Sequence, residues 1–75
     1  LIDEPERADI LYDNGVASYR LKDYDKAAEY FKQATTHTSS LGLRKQAHFN
    51  WGNTYVMQKK FEDAIKQYEE VLRID

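Results

Sequence analysis

The feature that most constrains the fold of this 75-residue chain is an internal repeat. Glycine, alanine and aromatic residues recur at an offset of 37 positions. The matched pairs are Gly15 with Gly52, Tyr24 with Phe61, Asp25 with Glu62, Ala27 with Ala64, Phe31 with Tyr68, and Ala34 with Val71. All pairs except the acidic one keep an apolar, aromatic or small residue. The chain is therefore predicted to contain two copies of one structural unit.

Each unit has the apolar pattern of two amphipathic helices separated by a short break. Apolar residues recur at intervals of three and four, which is the spacing of one helical face. The positions that mark the four predicted helices are Ala8, Leu11, Tyr12, Gly15 and Tyr19; Tyr24, Ala27, Ala28, Phe31 and Ala34; His48, Trp51, Gly52 and Tyr55; and Phe61, Ala64, Ile65, Tyr68, Val71 and Leu72. No segment alternates between apolar and polar residues over a strand's length, so we predict four antiparallel helices and an all-α fold.

Several residues indicate where these helices begin. Pro5 suits the first turn of the first helix, where its missing N–H costs nothing. Asp23 is a good N-cap for the second helix, and Ser40 for a third helix that runs from about 41 to 58. Gly42 leaves one alternative open, because it would also serve as the residue that ends the second helix.

In the second unit, segments 51–55, 61–65 and 68–72 resemble a tetratricopeptide repeat, and segments 15–19, 23–27 and 30–34 resemble another. The family pattern has a small glycine in the first helix of each repeat, and an alanine and an aromatic residue in the second. The resemblance implies two helix-turn-helix repeats in a short right-handed α-solenoid. It also implies close helix packing, with Gly15 near Ala27 and Gly52 near Ala64.

The chain departs from the family pattern in its repeat length. The usual spacing is about 34 residues, so the offset of 37 leaves extra residues to place. We assign residues 42–44 as the extra ones, at the start of the third helix. A single domain, 1–75, then comprises repeat one at about 8–41 and repeat two at about 45–75.

The resemblance also implies a function, because the first helices of successive repeats in this family line a groove that binds a protein segment. The corresponding positions are Asp9, Tyr12, Val16, Tyr19, Arg20, Gln46, Phe49, Asn50, Asn53, Val56 and Met57. Aromatic rings provide contact area at low entropic cost, and asparagine can both donate to and accept from a peptide backbone. For Tyr12, Tyr19 and Phe49, packing between helices is an equal alternative.

One branch of the family binds the C-terminal carboxylate of a partner through a lysine and an asparagine in its first repeat. Here Tyr12 and Val16 occupy those two positions, although Asn50 matches the branch's asparagine in the second repeat. We therefore do not expect a carboxylate clamp.

Other classes of function find little support in the residues. A net charge of −2, with basic pairs only at Arg44-Lys45 and Lys59-Lys60, does not favour nucleic-acid binding. The longest apolar run is about three residues, so we expect no membrane insertion. The chain has no cysteine and no glycine-rich phosphate loop, and its two histidines, His37 and His48, are far apart in sequence. We predict no enzyme activity, no metal and no cofactor.

The prediction is thus a protein-interaction module that binds a peptide or protein segment. The runner-up is a structural role, as a spacer or self-assembly segment of a longer helical solenoid. Ile65, Tyr68 and Leu72 lie on one stripe of the fourth helix at i, i+3 and i+7. Because a terminal repeat needs a polar outer face or a capping helix, we predict self-association through this stripe.

Overall fold

The computed structural model describes residues 7–74, and within that range it consists of four α-helices and no strands. The helices are α1 (Ala8–Arg20), α2 (Tyr24–His37), α3 (Leu41–Met57) and α4 (Phe61–Arg73). Each packs on the next along the chain, so α1–α2 and α3–α4 form two hairpins joined by contact between α2 and α3. The Cα atoms span 39 × 30 × 13 Å. The predicted all-α fold is confirmed.

The predicted helix starts agree with the structure where it describes them. The Asp23 side chain accepts a hydrogen bond from the Lys26 N–H, and Ser40 accepts one from the Leu43 N–H, so both residues are N-caps. The alternative role for Gly42 is wrong, because α2 ends at His37 and Gly42 lies inside α3. The prediction for Pro5 lies outside the described residues.

The two hairpins turn in the same way, at residues 21–23 and 58–60. Lys22 and Lys59 both have a left-handed backbone, with φ of 64° and 62°. In the first turn the Asp23 N–H donates to the Ser18 carbonyl and the Lys22 N–H to the Tyr19 carbonyl. The equivalent bonds form in the second turn. This is the Schellman pattern of helix termination, here with lysine at the position that usually holds glycine.

The core is built from small residues and one ring. Phe31 is 1% exposed, and the alanines at 27, 34, 47 and 64 are between 0% and 2% exposed. We expected Gly15 to lie against Ala27, but the nearest atoms to a Cβ at Gly15 belong to the Phe31 ring, at 2.6 Å. The atoms nearest to a Cβ at Gly52 belong to the Tyr68 ring, also at 2.6 Å. The glycines therefore make room for an aromatic ring of the facing helix.

The two first helices differ in length at their N-terminal ends. Helix α3 has 17 residues and α1 has 13, and the last residue of α1, Arg20, matches the last residue of α3, Met57, at the offset of 37. The additional turn of α3 therefore precedes Lys45, the equivalent of Ala8. The division of the chain at residues 42–44 stays a prediction, supported by this longer helix.

Candidate functional site

The eleven predicted groove residues all lie on α1 or α3, and none of them is buried. Their spacing of three and four places them on one face of each helix. Half-buried members of the set are Tyr12, Val16, Tyr19, Asn50 and Asn53, and exposed members are Asp9, Arg20, Gln46, Phe49, Val56 and Met57. We refer to these two faces together as the groove stripe.

A hydrogen bond joins the two halves of the groove stripe. The Asn50 Nδ2 of α3 donates to the Tyr12 hydroxyl of α1 at 2.7 Å. This bond connects residues 38 positions apart, at a place where α1 and α3 make only limited contact. It fixes the orientation of the Asn50 carboxamide, whose Oδ1 has no hydrogen bond within residues 7–74. The Tyr12 hydroxyl accepts this bond and keeps its own proton to donate.

A second tyrosine orients Asn53, one turn further along α3. The Tyr68 hydroxyl of α4 donates to the Asn53 Oδ1 at 2.5 Å. Within the described part of the chain the Asn53 Nδ2 has no partner, and it is not among the buried polar atoms. Burial, and to a lesser extent the neighbouring Tyr19 phenol, raises the pKa of Tyr68. Tyr68 therefore stays protonated as a hydrogen-bond donor at neutral pH.

The three aromatic residues of the groove stripe all contact a ring of the facing helix. The ring centroids of Tyr12 and Phe31 are 5.6 Å apart, and those of Tyr19 and Tyr24 are 5.4 Å apart. Phe49 lies 5.8 Å from Tyr68, yet it remains 50% exposed. Each of these three rings therefore packs against the facing helix. Phe49 in addition leaves half of its apolar surface accessible.

The charged residues of the groove stripe lie at its two ends. Asp9 is in the first turn of α1 and accepts a hydrogen bond from the Arg7 guanidinium at 3.1 Å. That bond is the main cause that lowers the pKa of Asp9, assisted by the Ile10 N–H. Arg20 is exposed in the last turn of the same helix. A carboxylate and a guanidinium thus lie about three turns apart on α1.

The two histidines lie on different helices and in different environments. The His48 ring stacks on Trp51, with centroids 5.7 Å apart, and its Nδ1 lies 2.9 Å from the Gln67 Oε1. His37 is exposed in the last turn of α2. Within residues 7–74, no three histidine, cysteine, aspartate or glutamate side chains lie close enough together to hold a metal ion.

The sequence pattern predicted Tyr68 on the apolar stripe of α4 with Ile65 and Leu72, and it did not predict that the Tyr68 hydroxyl would orient Asn53. A signal was present in the repeat itself. At the offset of 37, Asn53 and Tyr68 correspond to Val16 and Phe31, so two positions change from apolar to polar together. A paired change of this kind is expected where two side chains form a hydrogen bond.

The comparisons with known proteins agree with this architecture. No helix in the described range combines the length and apolar character that crossing a membrane requires. No curated protein gives a significant match to the chain. A family model described as tetratricopeptide repeat matches residues 6–75. Because this match covers nearly the whole sequence and the structure consists of two helical hairpins, the chain belongs to the tetratricopeptide repeat family.

Proposed function

We propose that the groove stripe binds an extended segment of a partner protein and that Asn50 and Asn53 hydrogen-bond its backbone. Helical repeats of this family often mediate protein–protein interaction and are generally non-catalytic. The proposal includes the absence of enzyme activity and of any role in nucleic-acid binding. The groove and its residues are proposed from the hydrogen bonds of Asn50 and Asn53 and from the exposure of the side chains around them.

The observation that supports this function best is the pair of oriented carboxamides. Asn50 has its Nδ2 engaged by Tyr12 and so offers a carbonyl oxygen. Asn53 has its Oδ1 engaged by Tyr68 and so offers N–H donors. The two side chains lie at i and i+3, where Cβ atoms are about 5–6 Å apart. An extended backbone carries both an N–H donor and a C=O acceptor on each residue, so one acceptor and one donor suit it.

Apolar and charged residues around this pair would select the peptide's side chains. Phe49, Val56 and Met57 are 38% to 50% exposed and offer apolar surface. Methionine and aromatic side chains adapt to varied partners and provide contact area. Arg20 is positioned to attract an acidic group. We therefore propose a peptide with apolar residues and an acidic residue.

Selection from a phage-displayed library of twelve-residue peptides against the intact chain provides the test. We expect Asn53→Ala to weaken the selected peptides several-fold, because it removes about one hydrogen bond's net contribution of about 0.5–1.5 kcal/mol. Gln33→Ala is the matched control, since it removes an amide on α2 whose only hydrogen-bond partner within residues 7–74 is Glu29. Selected peptides whose affinity changes equally in both variants, or a library that yields no binder, would contradict the proposal.

The runner-up function, a spacer or self-assembly segment, is favoured by one specific observation. The outer side of α4 exposes Ile65 (54%) and Leu72 (82%). Beside them is an open apolar cavity of about 330 Å³ lined by Phe49, Tyr68, Val71 and Leu72. We propose that this surface mediates self-association through Ile65, Tyr68 and Leu72, with Phe49 adding apolar surface at the cavity.

Sedimentation velocity over a wide concentration range tests self-association. Leu72→Glu should shift the chain towards monomer, because a charge would have to be buried in an apolar contact. Lys26→Glu adds negative charge at an exposed position on α2 and should leave the sedimentation profile unchanged. A wild-type chain that stays monomeric at every concentration would reject this role and leave the peptide-binding proposal untouched.

A further inference from the structure

The outer side of α4 corresponds to a surface that is covered elsewhere in the same molecule. At the offset of 37, α4 is the counterpart of α2, and α2 is packed against α3. Phe31 and Ala34 of α2 are 1% and 0% exposed. Their counterparts on α4, Tyr68 and Val71, are only half-buried, since no described residue takes the place that α3 has against α2.

The surface that covers α2 also has a counterpart in the chain, on α1. One stripe of α3 faces α2, with Gln58 donating to the Asp25 carboxylate at 2.6 Å across that contact. Taken back from Gln58, the residue after α3, at intervals of three and four, the stripe consists of Ala47, Trp51, Thr54 and Gln58. Trp51 lines a cavity together with Ala28 and Lys32 of α2. The counterparts of the stripe are Ile10, Asn14, Ala17 and Leu21, all exposed. Ala47 and Thr54 are 0% exposed, whereas Ile10 is 47% and Leu21 is 80% exposed.

The two uncovered surfaces are therefore the two halves of one interface, of which the chain already contains a complete example. We propose that copies of this chain associate head to tail, with α1 of one copy packed on α4 of the next as α3 packs on α2. This inference rests on the proposed self-association and specifies its geometry and its second partner surface. The occupant of the α4 surface is the α1 stripe of a second copy.

Ile10 is the residue that makes the contact favourable. It takes the position of Ala47, which is 0% exposed in the folded chain, whereas Ile10 itself is 47% exposed. An apolar cavity of about 330 Å³ lies at α4 and is lined by Phe49, Tyr68, Val71 and Leu72. A longer aliphatic side chain from α1 would fill part of this cavity, and both surfaces would lose apolar area to water.

Contact between copies is weaker than the internal one for an identifiable reason. The Gln58–Asp25 bond becomes Leu21 facing Glu62, and these two side chains cannot form a hydrogen bond. The Asn50–Tyr12 bond becomes Asp13 facing Phe49, with the same result. The association is therefore reversible and depends on concentration. Because the interface joins two different surfaces without closing a ring, it produces a series of oligomers rather than one dimer.

Complementation between two blocked variants provides the test. Ile10→Glu blocks the α1 surface and Leu72→Glu blocks the α4 surface, and both positions are exposed enough for the hairpins to remain folded. Circular dichroism of each variant checks that its helices are retained. Each variant alone should be monomeric at concentrations where the wild type forms a series of oligomers. An equimolar mixture, with one variant carrying a fluorescent label, should form heterodimers and nothing larger.

A symmetric contact between two α4 helices gives a different pattern. In that case Ile10→Glu would dimerise like the wild type, the wild type would stop at the dimer, and mixing would produce no heterodimer. That result would overturn the head-to-tail geometry while self-association through α4 stands. A wild-type chain that never associates would overturn both the head-to-tail geometry and self-association through α4. The peptide selection would still test binding to the groove stripe, because it does not depend on self-association.

Discussion

The two hairpins share one backbone plan but differ in what covers them. In the first hairpin α3 packs on α2, and Phe31 is 1% exposed. In the second, α4 has no such neighbour among the described residues, and Tyr68 at the equivalent position is half-buried. The same glycine–ring contact thus exists once in an enclosed core and once beside an open apolar cavity. The two glycine–ring contacts therefore have different surroundings.

The sequence has adjusted to this difference at the ring and at the position that contacts it. Val16 and Phe31 in the first repeat are replaced by Asn53 and Tyr68 in the second. A half-buried tyrosine can bond its hydroxyl within the repeat, whereas an enclosed ring has no need of one. The second repeat gains an oriented carboxamide on the groove stripe from this exchange. Repeat one supplies the more enclosed core, and repeat two supplies both asparagines of the groove stripe, Asn50 and Asn53.

The largest predicted effect comes from the two glycines. Gly15→Leu should destabilise more than Gly52→Leu, because the Phe31 ring that a Cβ would meet is only 1% exposed, while the Tyr68 ring lies at an open cavity. Overpacking costs about 1–3 kcal/mol and occasionally more. We expect Gly52→Leu in the lower part of that range and Gly15→Leu at its top or above. Urea denaturation monitored by circular dichroism measures both.

Equal destabilisation by the two leucines would show that the environment of the ring does not matter. A melting temperature within a few degrees of the wild type for Gly52→Leu would go further and remove Gly52 from the contact between α3 and α4. Gly42→Leu is the control, since a Cβ at Gly42 meets only the Ser40 hydroxyl oxygen, at 3.9 Å.

Much of this fold could be predicted from the sequence because the same helix pattern occurs in both repeats, and each copy supports the interpretation of the other. The helices, the caps at Asp23 and Ser40, and the family were all accessible from spacing and residue type. The ring contacts of Gly15 and Gly52 could not be predicted in this way. The repeat pattern indicates which positions hold a small residue, but it does not identify the side chain that packs against each of them. The Tyr12–Asn50 bond joins residues 38 positions apart on different repeats, so it depends on how α1 and α3 lie against each other. Local sequence does not determine that geometry.

The polar pair of the second repeat provides the next prediction. Tyr68→Phe should cost about 0.5–1.5 kcal/mol, the net contribution of one hydrogen bond. Adding Asn53→Val gives the second repeat the residues of the first, and we expect the double variant to be close to the wild type in stability. A double-mutant cycle on urea denaturation measures the coupling, which should be about 1 kcal/mol. Additive losses would mean that the hydroxyl and the carboxamide act independently.

The helix caps differ between the repeats and predict a smaller effect. Asp23 caps α2 through the Lys26 N–H at 3.4 Å, whereas the equivalent residue before α4 is Lys60, with no side-chain cap. Asp23→Ala should destabilise by about 0.5–1 kcal/mol, since this bond is long. Lys60→Asp should stabilise by a similar amount, because it adds a cap and places negative charge at the helix N-terminus. Thermal melting of both variants measures the difference.

Loss of stability on Lys60→Asp would show that lysine has a favourable role at this position. Its ammonium lies 5.9 Å from the centre of the Tyr55 ring, near the limit of a cation–π contact. Lys60→Ala separates the two effects, because it removes the ammonium without adding a cap.

The smallest predicted effect concerns Asp9, whose equivalent in the second repeat is the uncharged Gln46. The hydrogen bond from Arg7 lowers the pKa of Asp9 in the folded chain. A carboxyl with a depressed folded pKa stabilises the fold at a pH above its unfolded pKa, and this contribution is lost as the pH falls through the folded value. Asp9→Asn should therefore melt slightly below the wild type at pH 7, and the two melting temperatures should converge as the pH falls through the lowered pKa of Asp9. Asparagine can still accept from the Ile10 N–H, so the comparison isolates the charge.

Gln46→Asn, the counterpart of this variant in repeat two, should show a difference in melting temperature from the wild type that does not vary with pH. A gap for Asp9→Asn that stays constant down to pH 2.5 would assign the effect to packing or helix propensity rather than to the Arg7–Asp9 pair.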